Sequence, residues 1–315
     1  MKFVALAGGV GGAKLADGLY RLLPSNDLTV IVNTGDDFEH FGLRISPDLD
    51  TICYTLANLA NPDTGWGRSD ETWSALKNVI QLGGPEWFRM GDADLGTHLE
   101  RTRRLKEGEP LSSITRSFCK NWGISIPIIP MTDDIVQTHV ITQELGDLPF
   151  QEYFVKHQCR PSVVSFRLEG IETSKPAPGV LKALQDADWV ILCPSNPWVS
   201  IGPILAVPGI RECISEKNVI AVSPIIGGKA IKGPAAKMYA ELNIKPSAKA
   251  VANHYKDLLT CFVIDNIDAD EAKQINDWGI ISLTTNTLMF KSVDRIRLAE
   301  EILVFCVEQR REIRK

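Results

Sequence analysis

The stretch MKFVALAGGVGGAK, residues 1–14, joins a short apolar run, Phe3–Ala7, to a segment holding four glycines, Gly8, Gly9, Gly11 and Gly12. The apolar run reads as a buried strand and the glycines as a tight corner leading into a helix, expected over Ala13–Leu23. Glycines at such a corner allow positive φ and let a ligand approach the backbone, while a helix starting there aims its first amides at an anion. Lys14 adds a positive charge beside them. A phosphate is the expected guest. The competing reading keeps the glycines only for close packing of helix on strand.

Known phosphate loops fit poorly. Gly9-Val10-Gly11-Gly12-Ala13-Lys14 satisfies G-x-G but has Lys14 where the dinucleotide fingerprint carries its third glycine, which argues against a nicotinamide oxidoreductase. Counted from Gly8, the chain offers Ala13-Lys14-Leu15, with neither the second glycine nor the hydroxyl of a Walker loop.

Leu28–Asn33 (LTVIVN) reads as a second strand, buried on both faces, so the chain opens on a right-handed βαβ unit. Then come Thr34-Gly35-Asp36-Asp37 and Ile45-Ser46-Pro47-Asp48-Leu49-Asp50-Thr51, placing four aspartates within fifteen residues. One such acid serves a ribose in dinucleotide enzymes. Several at the end of a parallel strand, facing a phosphate loop, suit magnesium, which binds through one or two carboxylates together with substrate phosphates. Capping of turns or helices is the alternative for Asp36 and Asp48.

The 315 residues are 44% apolar and 23% charged, ordinary for a globular chain with a sizeable core. No apolar run of about 18 residues appears that would span a bilayer. Met1 leads directly into a strand, so no signal peptide is expected and a cytoplasmic location is. A net charge of −5 argues against a general nucleic-acid binder. The seven cysteines are scattered without a C-x-x-C pair and mostly sit in apolar contexts, as reduced core thiols do.

Residues 51–122 read as a helical insertion over the catalytic face, with helices near Thr51–Leu59, Asp70–Leu82, Ala93–Lys106 and Leu111–Lys120. Its Gly65-Trp66-Gly67 and Trp87-Phe88-Arg89 supply flat side chains able to cover an aromatic ligand, whereas Trp73 and Trp122 read as core. His98, Arg101 and Arg104 share a helix face that suits either an anion or solvent. The α/β core, residues 1–50 and 123–315, resumes with strand-like Ile126–Pro130, His139–Thr142 and Ser162–Leu168. Strand-then-loop units then place Pro194-Ser195-Asn196-Pro197, Ser223–Lys229 with Lys232-Gly233-Pro234, Asp265 and Thr284–Asn286 at the ends of strands that line a crevice. Ser195 and Asn196 are candidate nucleotide ligands there, and Gly227–Lys229 a second anion nest.

Gly8–Lys14, Thr34–Asp37, Ile45–Thr51, Gly65–Gly67, Trp87–Arg89, Gly91-Asp92, Pro194–Pro197, Ser223–Ile226 and Lys232–Pro234, in this order, resemble the 2-phospho-L-lactate transferase family of coenzyme F420 biosynthesis, over nearly the whole chain. The resemblance implies a Rossmann-like, mostly parallel sheet with helices on both faces and a helical insertion, a homodimer, and Mg2+-dependent transfer. The implied donor is lactyl-2-diphospho-5′-guanosine or its enolpyruvyl relative. The implied acceptor is the deazaflavin FO, and the products are GMP and F420-0 or its dehydro form. Asp50 and Arg89 fall on positions that contact the deazaflavin in the family.

In that chemistry a primary hydroxyl of FO attacks the phosphorus that bears the lactyl group, and charge must be stabilised on the phosphoryl oxygens. Gly9, Gly11, Gly12 and Lys14 are then assigned to the donor's phosphates, with Ser195 and Asn196 beside the nucleotide. Asp36 and Asp50 are assigned to magnesium or to the incoming hydroxyl, which leaves Asp50 two roles, metal ligand or hydrogen-bond acceptor. The catalytic candidates are therefore Asp50, Asp36 and Lys14. A nucleotide-sugar-binding regulator of a related glycine-loop family is the alternative function; it would not be expected to carry Asp48-Leu49-Asp50 together with Trp87-Phe88-Arg89.

Overall fold

In the computed structural model, which describes residues 1–313, the chain begins with β1 (Phe3–Ala7), α1 (Gly9–Leu22), β2 (Leu28–Val32) and a hairpin of β3 (Phe38–His40) and β4 (Leu43–Ile45). Four helices follow, α2 (Pro47–Leu56), α3 (Ser74–Gln81), α4 (Asp92–Lys106) and α5 (Leu111–Asn121). Next come β5 (Ile128–Pro130), β6 (Gln137–Thr142), β7 (Gly146–Pro149), β8 (Val163–Glu169), α6 (Val180–Asp186) and β9 (Trp189–Leu192). The chain then passes through α7 (Gly202–Ala206), α8 (Ile210–Ser215), β10 (Asn218–Val222), the hairpin of β11 (Ile225–Ile226) and β12 (Lys229–Ala230), α9 (Ala235–Glu241) and α10 (Ala248–His254). It ends with β13 (Cys261–Asp265), α11 (Ala272–Asn276), β14 (Ile281–Thr285) and α12 (Ser292–Ile313).

Seven of the strands form one sheet in the order β14-β13-β10-β9-β1-β2-β5, and every pairing in it is parallel. The chain winds outward from β1 to β5, then returns to the other side of β1 with β9. This is the doubly wound order, with its topological switch between β1 and β9. Strand side chains alternate faces, so Val4 and Leu6 join one apolar core while Phe3, Ala5 and Ala7 join the other. On the second face pack α1, α2, α5 and α12, through residues such as Leu15, Ile52, Cys119 and Ile302. No described helix is long and apolar enough to cross a membrane.

Three sequence expectations need correction. The first helix starts at Gly9, not Ala13, because a tertiary contact caps it: the Gly9 amide donates to Asp48 Oδ1 at 2.7 Å, and Gly9 itself holds φ +61°. The expected boundary between residues 50 and 51 cuts α2, whose Leu49, Ile52, Cys53 and Leu56 belong to the core of the main sheet. Both α2 and α5 share that core. Finally, β6 and β8 do not resume the parallel sheet but form a three-stranded antiparallel sheet with β7. Their half-exposed alternation signals a one-sided sheet rather than a strand buried on both faces.

Helix α12 lies so close to α1 that only glycine fits at the crossing. A Cβ on Gly18 would stand 2.1 Å from the Arg295 carbonyl oxygen, which is backbone and cannot swing aside. The buried Asp17 next to it accepts from Arg21 at 2.8 Å and from Arg295 at 3.0 Å, fixing the same contact. Gly18→Ala is therefore expected to lower stability by about 1–3 kcal/mol through overpacking, read as a lower urea midpoint; an unchanged midpoint would show that the two helices do not hold this spacing.

Candidate active site

A cavity of about 650 Å³ lies where the strand order reverses, bounded by the loops that follow β1 and β9. The sheet contributes Gly9, Gly11, Lys14, Asp36, Ser195 and Asn196 to its lining. The first turn of α2 contributes Asp48 and Asp50, and the helical segment Trp66, Trp87, Phe88 and Arg89. The residues assigned above to donor, acceptor or metal thus border one cavity except Gly12, where a Cβ would stand 2.7 Å from Ser195 Oγ and whose role is packing; Gly227–Lys229, Asp265, Thr284–Asn286, Arg101 and Arg104 do not line it.

Several of those candidates already hold internal partners. Ser195 Oγ donates to the Gly8 carbonyl at 2.7 Å and receives the Gly8 amide, clasping the β9 loop to the glycine corner. Asn196 Oδ1 accepts from the amides of Trp198 and Val199, as a cap does. The Lys14 ammonium donates to the Met289 carbonyl at 2.7 Å. Burial, then the nearby Arg295 and Lys232, hold that ammonium below its usual range. The proposed second nest is self-filled, since the Gly227 amide donates to the Asp268 carboxylate.

The aspartates divide into two groups. Asp48, in the first turn of α2, accepts from Gly9 and, at 2.9 Å, from Asn33 Nδ2. Burial pushes its carboxyl up to about 6 in spite of these two bonds. Asp36 is also buried, with Oδ1 lacking a hydrogen-bond partner among the described residues, and burial, then Asp48 and Asp37, raise it well above the carboxylate range. Asp37 is pushed up to about 7 by burial, against the pull of Arg44 and Ser46. Arg44 Nε stands 3.6 Å from Asp37, whereas Asp36 and Asp48 have no cation within ion-pairing distance among the described residues.

Asp50 faces the other way. Both its oxygens are engaged by the Arg101 guanidinium, which is only 3% exposed. Burial alone would lower Arg101, yet Asp50 beside it raises it. His98 lies between Asp50 and Asp94, with Nδ1 3.7 Å from the first and Nε2 3.3 Å from the second. The Tyr54 hydroxyl donates to Asp94 Oδ1 at 2.7 Å. Asp50, Asp94 and His98 bring potential ligand atoms within 4.8 Å of one another, but the guanidinium already supplies the cation there. The helical spacing of His98 and Arg101 shows their shared face but not what they meet there, because Asp50 lies 51 positions before Arg101. Arg104, the third member of the stripe, pairs instead with Glu109 at 2.6 Å.

An aromatic wall flanks Asp50. Phe38 meets Phe88 edge-on with centroids 4.9 Å apart, and His40 meets Trp87 at 5.1 Å. The Arg89 guanidinium rests 4.6 Å from the Trp73 ring centre. Asp92 accepts from the amides of Ser74 and Ala75, and Glu71 from those of Ala93 and Asp94, so each carboxylate caps a neighbouring helix.

Fold and cavity define the class, a doubly wound α/β protein with its crevice at the switch point of the sheet. The chain belongs to the 2-phospho-L-lactate transferase (CofD) family, whose model matches residues 3–285. It is 42% identical over 317 residues to the phosphoenolpyruvate transferase of Streptomyces coelicolor, covering 98% of this chain and 99% of that one. It is 46% identical over 284 residues to the protein of the same name from Thermobifida fusca, covering 86% and 88%. Among solved structures, a UPF0052-family protein of Bacillus halodurans superposes with a TM-score of 0.64 at 16% identity, covering 96% of this chain and 98% of that one, a likeness of fold.

Removing one partner of a buried ion pair leaves the other charge uncompensated. Arg101→Ala is accordingly expected to cost about 3–5 kcal/mol in chemical denaturation. Arg101→Lys should cost less, since it keeps the charge and loses the forked geometry. Equal stability of the alanine variant and the parent would refute the pairing.

Proposed function

We propose that this transferase moves a phosphoenolpyruvyl group from an enolpyruvyl-diphospho-5′-guanosine donor to the primary hydroxyl of FO, releasing GMP and dehydro-F420-0. The observation that carries the reading is the convergence of Asp50 and Arg89, the deazaflavin positions of the family, on one cavity with the glycine corner and an aromatic wall. Membership of the family supports the reaction class. The enolpyruvyl donor, rather than the lactyl one, is supported by the names of relatives 42–46% identical to this chain.

In the reaction the FO hydroxyl oxygen forms a bond to the phosphorus bearing the enolpyruvyl group, and the bond from that phosphorus to the GMP oxygen breaks. Asp50 accepts the hydrogen bond of the attacking hydroxyl and orients it. Of the two roles open to Asp50, the acceptor is favoured, because Arg101 fixes the carboxylate and leaves less of it for a metal. Alignment of this kind is a large part of group-transfer catalysis. Trp66, Trp87 and Phe88 give the tricyclic ring of FO flat apolar surface.

A magnesium ion fits Asp36 with Asp48 better than Asp36 with Asp50. Asp36 Oδ1 is buried without a partner among the described residues, and Asp48 is the carboxylate that raises it most, which is what an acidic pair prepared for a cation presents. When bound, the ion would neutralise charge on the donor's phosphoryl oxygens.

Asp50→Asn is expected to lower turnover about 100-fold or more, assayed by product chromatography below the variant's unfolding transition; parent-like turnover would remove Asp50 from the mechanism. In the same assay the enolpyruvyl donor should outpace the lactyl donor, and the reverse preference would overturn the donor assignment. Magnesium should raise the melting temperature of the parent protein, and of Asp50→Asn, but not of Asp36→Asn or Asp48→Asn. An ion effect that persists in both of the latter would place the metal elsewhere.

A further inference from the structure

Lys232 lies in the Lys232-Gly233-Pro234 run, which the roles above leave unexplained, and its side chain lines the cavity. Its ammonium donates to the main-chain carbonyl of Thr64 at 2.6 Å, tying the loop after β12 to the turn of residues 61–67. That turn is already shaped by its own bonds. The Asn61 amide donates to the Gly67 carbonyl at 3.0 Å and the Gly65 amide to the Asn61 carbonyl at 2.9 Å. It also packs on the glycine corner, where a Cβ on Gly65 would stand 2.8 Å from Val10 Cγ1.

Lys14 is in the same situation, its ammonium resting on the Met289 carbonyl. Among the described residues neither lysine has a carboxylate within ion-pairing distance. The cavity's Asp48 and Asp50 are engaged instead by Gly9, Asn33 and Arg101. Two ammonium groups held by neutral carbonyls, in a cavity that receives a diphosphate, carry positive charge not yet matched. Moving an ammonium from a neutral carbonyl to a phosphate oxygen adds the attraction of two opposite full charges to the hydrogen bond, so an entering diphosphate draws both lysines from their carbonyls.

We infer that Lys232, with Lys14, binds the diphosphate of the donor, and that without donor Lys232 is parked on Thr64, holding the 61–67 turn against the glycine corner. The inference rests on the guanosine-diphosphate-linked donor proposed above. The Gly9 amide itself is then not a phosphate donor, since Asp48 already accepts from it. Diphosphate binding and release of the turn are linked, each favouring the other.

Lys232 is exposed, so its substitution leaves the core untouched. The test compares the parent with Lys232→Met and Lys232→Arg, using calorimetric binding of GDP and of FO and amide exchange of residues 61–67. The methionine variant should bind GDP about tenfold more weakly or worse, the loss of one charge-assisted contact, and FO as the parent does. The arginine variant should recover most of the GDP affinity. Without ligand, the 61–67 amides should exchange faster in the methionine variant. Unchanged GDP affinity, or an equal loss for GDP and FO, overturns the phosphate role of Lys232; unchanged exchange overturns its parking on Thr64. A parent protein that binds neither GDP nor FO overturns instead the function proposed above.

Discussion

The carboxylate of Asp48, shared between the amide of Gly9 and the side chain of Asn33, is the contact on which the rest of the site depends. It joins three elements: the start of α1, the end of β2 and the first turn of α2. Its place at the N-terminus of α1 is electrostatically favourable, because unpaired amides and the helix dipole both present positive charge there. Pro47 at the first position of α2 fixes where that helix begins. Asp50 then follows two residues later, about 200° around the helix, so it must look away from the glycine corner and toward α4. One helical turn thereby serves two sites with opposite faces.

The cavity separates charge into three regions of distinct character. Asp36, Asp37 and Asp48 are buried acids whose proton affinity is raised, chiefly by burial. Asp50 is compensated by Arg101 and backed by His98 and Asp94. Lys14 and Lys232 are cations on neutral acceptors. Burying like charges together is unfavourable for folding alone, and a fold has no structural need for it. Groups displaced in this way, in a crevice at a topological switch, mark a candidate ligand site.

The aromatic wall shows the same division of labour between stability and function. Phe38, Ile45 and Met90 form a small buried cluster of their own beneath Trp87 and Phe88. That cluster holds β3, β4 and the segment before α4 together, and so sets the position of Arg89 and its ring partner Trp73. Packing that is structural on one side leaves flat surface free on the other.

The sequence by itself determined the parallel sheet, the glycine corner and most of the loops that meet in the crevice, because these follow from local patterns: apolar runs buried on both faces, glycines after β1, and turn residues after later strands; Asp265, at the end of β13, instead accepts from Thr287 and does not line the cavity. It also supplied the residue types of the site, down to Asp50 and Arg89. Only the tertiary structure decided their partnerships. Asp48 caps a helix that lies 39 positions earlier, Arg101 reaches Asp50 across 51 positions, and Lys232 reaches Thr64 across 168. A carboxylate is free to be a cap, a metal ligand or half of an ion pair, and which one it becomes depends on what folding brings within about 3 Å of its oxygens. That separation in the chain is also why α1 begins at Gly9 and why the helical segment shares the core of the sheet: the contacts responsible come from residues no local window contains.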